Sequence, residues 1–196
     1  MFVGRSNVNK HNCIRYFEPD VLILKKENMN KKIFLAILIS LFTSLNLFAQ
    51  KEKMQSVFIY NFITKFVEWP ASDKSGDFVI GVLGNSPIID EFKALAASRT
   101  VGSQKIVVKK FNSASEISAC QVLYISDSKT AEIGAALGKV GNTLVISDCD
   151  GGARMGAAIN FVLIDNKQKF ELKTANATSK KLKVSPDLEK MAIMVN

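Results

Sequence analysis

Short apolar runs alternate with helical segments over most of the chain, and this alternation limits the folds open to it. The first runs, such as Phe78 to Leu83 and Val122 to Ile125, are uniformly apolar, which is typical of parallel strands that helices cover on both faces. The other strand-like runs are Lys105 to Val108, Thr143 to Ile146, Ile159 to Ile164 and Lys169 to Leu172. Helical segments are predicted between them at Pro87 to Ala97, Ser115 to Ala119 and Lys129 to Lys139.

Two features near the carboxyl end complete the pattern. Asp165-Asn166-Lys167-Gln168 separate the last two strand-like runs and are typical of a hairpin turn. Ser185 followed by Pro186 predicts the start of a last helix, because serine caps helices and proline favours the first helical position. We therefore predict an α/β fold: a single-domain sandwich with a mainly parallel sheet, a late β-hairpin and helices on both faces.

The stretch FIYNFITKFVEWP, residues 58 to 70, places four aromatic residues within its first nine positions. Apolar residues recur at helical spacing from Lys53 to Trp69, and Pro70 is expected to end the helix. The apolar arc is too broad for a helix with one solvated side. Two interpretations follow: the helix is buried against the sheet, or part of its aromatic arc, including Tyr60 and Trp69, contacts a partner.

The amino-terminal region has the layout of a secretory signal peptide. Lys31 and Lys32 precede an apolar run from Ile33 to Phe42, and Leu47-Phe48-Ala49 resembles a cleavage site before Gln50. A membrane anchor is the other interpretation, but polar residues leave the run short of the ~20 apolar residues that a bilayer requires. We predict a non-translated or disordered leader at 1–28, a signal peptide at 29–49 and an exported domain at 50–196.

Cleavage changes the charge and removes the only histidine, His11. Seven of the 26 basic and three of the 18 acidic residues precede residue 50, which leaves 19 against 15, a net charge of +4. The remaining basic residues are scattered apart from Lys180-Lys181-Leu182-Lys183, so no nucleic-acid partner is expected. Without histidine, a histidine triad and histidine metal ligands are excluded. No catalytic, cofactor-binding or metal-binding residue is predicted, and we expect the protein not to be an enzyme.

Polar turns follow several of the predicted strands, and this leaves a second class of function open. In open α/β sheets the carboxyl ends of the strands are where ligands bind. Asp148 and Asp150 lie in one such turn, but carboxylates in a single loop are usually solvated. The neighbouring DGGARMG sequence does not match a nucleotide-binding motif. A small-molecule-binding protein or an enzyme using this crevice is therefore the alternative function.

Three groups of residues together resemble the YfiR family across essentially the whole predicted mature chain. They are Tyr60-Asn61-Phe62 with Lys65-Phe66 and Glu68-Trp69-Pro70; the strand Cys120 to Ser126; and Gly156 to Phe161 with Phe170-Glu171-Leu172 and Leu182 to Ser185. The resemblance implies an exported α/β protein that negatively regulates the periplasmic part of an inner-membrane signalling protein. That partner would be a diguanylate cyclase or, since related domains occur with such proteins, a sensor kinase. A homodimer also stays open.

The chain departs from the family pattern at three places. Gly156-Ala157 stand where the family has paired glycines, Gly152 where it favours an aromatic residue, and Lys173 where it commonly has asparagine. We expect Gly152 and Lys173 to lie on the surface. The candidates for partner contacts are Tyr60, Trp69, Gly152, Glu171 and Lys173.

The resemblance also implies disulfides, but the expected strand directions argue against one between Cys120 and Cys149. Cys120 precedes one predicted parallel strand, whereas Cys149 follows the next. Five residues at ~3.3 Å each separate the two by roughly 15 Å along the strands, and a disulfide requires Cα atoms within about 7 Å. We predict two unpaired thiols, with Cys120 buried and Cys149 more accessible.

Overall fold

The computed structural model describes residues 51–196. The predicted leader, signal peptide and cleavage site lie outside these residues. The first helix, α1, covers 51–61 of the described chain and continues as a π-helical turn, Phe62–Phe66. The other helices are α2 Ile88–Ser98, α3 Ile133–Leu137, α4 Thr174–Thr178 and α5 Pro186–Met191. Short 3-10 turns occupy Ala71–Asp73, Ala114–Glu116 and Asp127–Glu132.

Eight strands form one mostly parallel sheet, and two short strands form a separate ribbon. The sheet strands are β2 Phe78–Leu83, β3 Thr100–Val101, β4 Gln104–Phe111, β5 Val122–Ile125, β6 Leu144–Ser147, β7 Ile159–Ile164, β8 Lys167–Leu172 and β10 Ile193–Met194. Their order across the sheet is β10-β8-β7-β6-β5-β2-β4-β3. The ribbon pairs β1, Val67–Glu68, antiparallel with β9, Lys183–Val184.

The predicted α/β class with a mainly parallel sheet and a late hairpin is confirmed. Strands β2, β4, β5, β6 and β7 run parallel, and β8 returns antiparallel to β7. Numbered by their order in the chain, these five parallel strands lie side by side as 2-1-3-4-5, which is a common doubly wound order. Asp165 and Asn166, both with positive φ, make the two-residue turn that such a hairpin favours.

Helices cover both faces of the sheet, as predicted. One face packs against α1 and α2 through a large apolar cluster that includes Ile59, Phe62 and Phe92. The other face packs against α3 through a smaller cluster around Ile133 and Leu123. The aromatic residues of α1 and of the π-helical turn are thus used largely in the core: the Phe62 ring lies 4.9 Å from the Phe170 ring of β8.

The predicted helix from Lys53 to Trp69 is wrong at its carboxyl end. Helical geometry stops at Phe66, and Val67 and Glu68 instead pair with Val184 and Lys183. The apolar spacing continues past Phe66 because Val67 and Trp69 are also buried, but in a strand rather than a helix. Local periodicity cannot distinguish the two, since the strand exists only through its distant partner.

Other predicted boundaries also differ from the structure. The helix predicted from Lys129 to Lys139 is a 3-10 turn followed by the short α3, and the segment Ser115 to Ala119 holds only the end of another 3-10 turn. The last helix begins as predicted, with Ser185 Oγ accepting from Asp187 N at 3.3 Å. It ends at Met191, because Ile193 and Met194 pair with β8 as the edge strand β10.

Candidate partner-binding surface

Exposed apolar side chains gather at the β10 edge of the sheet. Met191 is 55% exposed, Ile193 37% and Met194 47%. Ile193 lies in register with Glu171 of β8, which places apolar and charged groups side by side. An exposed apolar group rimmed by charge is typical of a protein-interaction site. We call Glu171, Lys173, Met191, Ile193 and Met194 the β10 surface.

Glu171 is held in place by a buried asparagine that was not among the predicted partner contacts. Asn160 is fully buried and lies in register with Glu171 across the hairpin. Its Nδ2 donates to Glu171 Oε2 at 2.9 Å, while its Oδ1 accepts from Ser147 Oγ at 2.7 Å and Cys149 N at 3.3 Å. Asn160 is the polar position within the otherwise apolar Ile159–Ile164 strand. A single polar residue in an apolar strand is the sequence signal that could have identified Asn160 as part of this site.

Gly152 lies beside the same asparagine and not on the surface, so the expectation of a surface position is wrong. The residue is buried, and a Cβ there would come within 2.6 Å of Asn160 Oδ1 and would overlap Ser147 Oγ. A side chain at this position would therefore break the Asn160 hydrogen bonds. Gly152 contributes to the β10 surface only by leaving room for the group that holds Glu171.

Lys173 follows β8 directly and lies on the same side of the molecule. It is half-buried, and its Nζ donates to the Asn196 carbonyl oxygen at 3.1 Å. This bond joins the end of β8 to the segment after β10, next to the β10–β8 pair. Glu171, Lys173 and Ile193 thus form a compact set that carries both signs of charge and an apolar side chain.

Tyr60 lies at the opposite end of the sheet. Its hydroxyl donates to the Thr100 carbonyl oxygen of β3 at 3.1 Å, and Arg99 Cζ lies 6.0 Å from its ring centroid. Strand β3 is at the other end of the strand order from β10. The structure therefore does not bring Tyr60 together with Glu171 and Lys173.

Trp69 is a core residue in this fold. Only 7% of it is exposed, its ring meets the Phe78 ring edge-on at 5.2 Å, and its Nε1 donates to the Gln121 carbonyl oxygen at 3.2 Å. A buried indole with its N–H satisfied offers little surface to another protein. The aromatic segment was expected either to be buried or to contact a partner, and Trp69 is buried.

The carboxyl edge of the sheet, which the alternative function requires, is covered by α1. The Tyr124 hydroxyl of β5 lies 3.1 Å from both Gln55 Oε1 and Asp148 Oδ2, so its one proton serves one acceptor at a time. Lys51 Nζ pairs with the same Asp148 carboxylate at 2.7 Å. Burial raises the pKa of the Tyr124 hydroxyl, and the Asp148 charge raises it further. The tyrosine therefore acts as a neutral structural link between helix and sheet.

Within 51–196, no cluster of three or more His, Cys, Asp and Glu side chains is placed to bind a metal ion. Over the same residues, no helix is long and apolar enough to cross a membrane.

Cys120 and Cys149 are unpaired in the structure. The parallel neighbouring strands from which two unpaired thiols were predicted are also present. Strands β5 and β6 are parallel neighbours, Cys120 is buried before β5, and Cys149 is half-buried after β6. Burial is the main cause that raises the pKa of the Cys120 thiol to about 11.

We expect a thiol reagent at pH 8 to modify Cys149 much faster than Cys120 in the native protein without residues 1–49. A pKa near 11 leaves only about one Cys120 thiol in a thousand as the reactive thiolate at that pH. The Cys149→Ser variant, in which only Cys120 remains, should react slowly until it is denatured. Finding no free thiol in the denatured, unreduced monomer would show that the two cysteines pair.

Comparison with known families identifies the chain. A family model described as YfiR/HmsC-like matches residues 52–193, nearly the whole described region. None of the curated proteins compared with the chain matches it. The matched span runs from the first turn of α1 to the first residue of β10 and includes the paired Asn160 and Glu171. The chain therefore belongs to the YfiR/HmsC-like family.

Proposed function

We propose that the protein is an exported regulatory binding protein that docks on the periplasmic part of a membrane signalling protein and represses it. Family membership is consistent with a periplasmic regulator of diguanylate cyclase signalling. The single structural observation that supports docking is the β10 surface, where exposed Met191, Ile193 and Met194 lie beside Glu171 and Lys173. The partner is a diguanylate cyclase-type protein or a sensor kinase of the inner membrane.

The chemistry of the β10 surface suits a protein partner. Its apolar side chains are 37–55% exposed, and docking would remove that exposed part from water. Each would contribute the corresponding fraction of the roughly 1.5–3 kcal/mol for burying a whole side chain, before the costs of association. Glu171 is pre-ordered by Asn160, so little side-chain entropy is lost when it meets a donor on the partner. The outer edge of β10 lies at the end of the sheet and adds backbone groups that a partner strand can pair with.

The crevice function has less support. The carboxyl edge of β5 and β6 is occupied by Lys51 and Gln55 of α1, which bond to Asp148 and Tyr124. A ligand there would have to displace these contacts. The β10 surface requires no such rearrangement.

The Ile193→Asp variant is expected to weaken partner binding at least about tenfold, because a carboxylate would be buried where an apolar side chain was. The wild-type exported protein is first used to capture its partner from detergent-solubilised membranes. The captured protein supports the proposal if it has a membrane span and a cyclase or kinase output domain. Binding of the wild type and of Ile193→Asp to that protein is then measured. The cellular output of the signalling protein is measured as well and should rise with Ile193→Asp.

Val57→Asp is the matched control. Val57 is 47% exposed on α1, outside the β10 surface, and should tolerate the charge with unchanged binding and output. If Val57→Asp abolishes binding and Ile193→Asp does not, the partner docks on α1. If neither variant changes the output of any membrane signalling protein, the proposed function is wrong.

A further inference from the structure

A second surface, unrelated to the β10 edge, carries a concentration of positive charge. A cavity of about 320 Å³ lies beside the β1–β9 ribbon. Its charged lining residues are Lys74, Lys181, Lys183 and Glu68. We call it the ribbon cavity. Three lysines against one glutamate leave an excess of two positive charges around a space large enough for a small anion and part of its carrier.

The lysines of the ribbon cavity are not neutralised by the protein itself. Within residues 51–196, the ion pairs closer than 4.0 Å involve Lys51, Lys93, Lys129 and Lys190, and none of the cavity lysines. Glu68 lies in register with Lys183 across the ribbon, yet the two side chains form no such pair. The positive charge is therefore available to an external anion.

The backbone at Lys181 points to the same conclusion. Leu182 N donates to Ala177 O at 3.2 Å and Lys181 N to Thr178 O at 2.9 Å, which is the bonding pattern of a Schellman motif ending α4. Lys181 occupies the left-handed position of that motif with φ of 59°, where glycine is usual. A lysine there is less favourable for the backbone than glycine, but it supplies a charged side chain to the cavity wall.

We propose that the ribbon cavity binds a phosphate group through Lys74, Lys181 and Lys183. Lysine ammonium groups are compact charges with three donors each, and several can converge on one phosphate. Pro70 and the small exposed part of Trp69, 7% of that residue, form an apolar wall beside them that suits the carbon part of a phosphorylated molecule. The group belongs either to a free phosphorylated small molecule or to the headgroup of an anionic phospholipid. The inference rests on the cavity and is independent of the proposed docking.

The chain contains one tryptophan, and it lines this cavity, so its fluorescence reports binding directly. We expect titration of the exported protein with inorganic phosphate or glycerol phosphate, at constant ionic strength, to change Trp69 emission saturably. Vesicles of phosphatidylcholine with phosphatidylglycerol, compared with phosphatidylcholine alone, test the lipid source. Binding to either the soluble phosphates or the anionic vesicles supports the site and shows whether the phosphate group comes from a small molecule or from a lipid. The same change with chloride overturns the site, and so does no change with any probe.

Lys181→Gly separates binding from folding. It should weaken phosphate binding by on the order of tenfold, the loss of one charge-assisted contact, while the melting temperature stays equal or rises, since glycine suits the left-handed backbone. Lys74→Gln should weaken binding similarly. Lys167→Gln, at the exposed start of β8, is the matched control and should leave binding unchanged. Equal losses in the control and the cavity variants would overturn the site.

Discussion

Replacing Trp69 with alanine is expected to lower the free energy of unfolding by about 3–5 kcal/mol, the range for truncating a buried large aromatic residue. The indole packs edge-on against Phe78 and donates its N–H to the Gln121 carbonyl oxygen. Alanine would leave a cavity and remove one of the two hydrogen bonds that the Gln121 carbonyl oxygen accepts, the other coming from Leu144 N at 2.8 Å. Urea denaturation followed by circular dichroism measures the change, since the variant has no tryptophan signal.

Tyr60→Phe is the control for that experiment. Tyr60 is half-buried and would lose only its hydrogen bond to Thr100, so a change of about 0.5–1.5 kcal/mol is expected. A different result would contradict the assignment of Trp69 to the core. If Trp69→Ala keeps its stability within about 1 kcal/mol but loses partner binding, then Trp69 is a docking residue and its burial in the monomer is not its role.

Replacing Asn160 with aspartate is expected to cost about 2–4 kcal/mol at pH 7. The new carboxylate would still accept from Ser147 and Cys149, but the atom facing Glu171 at 2.9 Å would change from a donor to an oxygen. Two carboxyl groups at this distance cannot both ionise, so the folded variant holds a proton that the unfolded chain releases. The variant's stability should therefore fall as pH rises from about 4 to 7.

The double variant Asn160→Asp with Glu171→Gln tests the geometry. Glutamine can donate to the new aspartate, which restores one hydrogen bond with its direction reversed, so most of the lost stability and the pH dependence should be recovered. Denaturation at pH 4 and pH 7 measures both effects. If the double variant is no more stable than Asn160→Asp alone, the two side chains do not interact as the structure shows.

The predicted class of fold follows from local features that the sequence displays openly. Runs such as Phe78 to Leu83 are apolar at every position because both faces of their strand are covered. Polar turn residues at Asp165 and Asn166 direct the chain back on itself, and serine before proline begins α5. Each signal lies within a few residues, so each is readable without knowing the remainder of the chain.

The residues of the β10 surface could be predicted only in part from the sequence. The motif residue Glu171 and its neighbour Lys173 were expected to contact a partner, and the structure places both at the β10 edge. Ile193 gave no signal, because it lies among the apolar residues from Met191 to Val195, and apolar residues in a predicted helix are normally taken for core. Trp69 and Gly152 were expected at a surface, but their burial depends on Phe78 and Asn160, which lie elsewhere in the sequence.

The sequence by itself determined the α/β class, the parallel strands and the late hairpin, because hydrophobic period and turn chemistry act over neighbouring residues. Tertiary structure alone decided where α1 ends, which residues of it are covered, and that β1, β9 and β10 exist at all. A strand of two residues has almost no local preference, and its stability comes from hydrogen bonds to a partner far along the chain. The hydrogen bond between Asn160 and Glu171 arises in the same way, from register across the hairpin rather than from either residue alone.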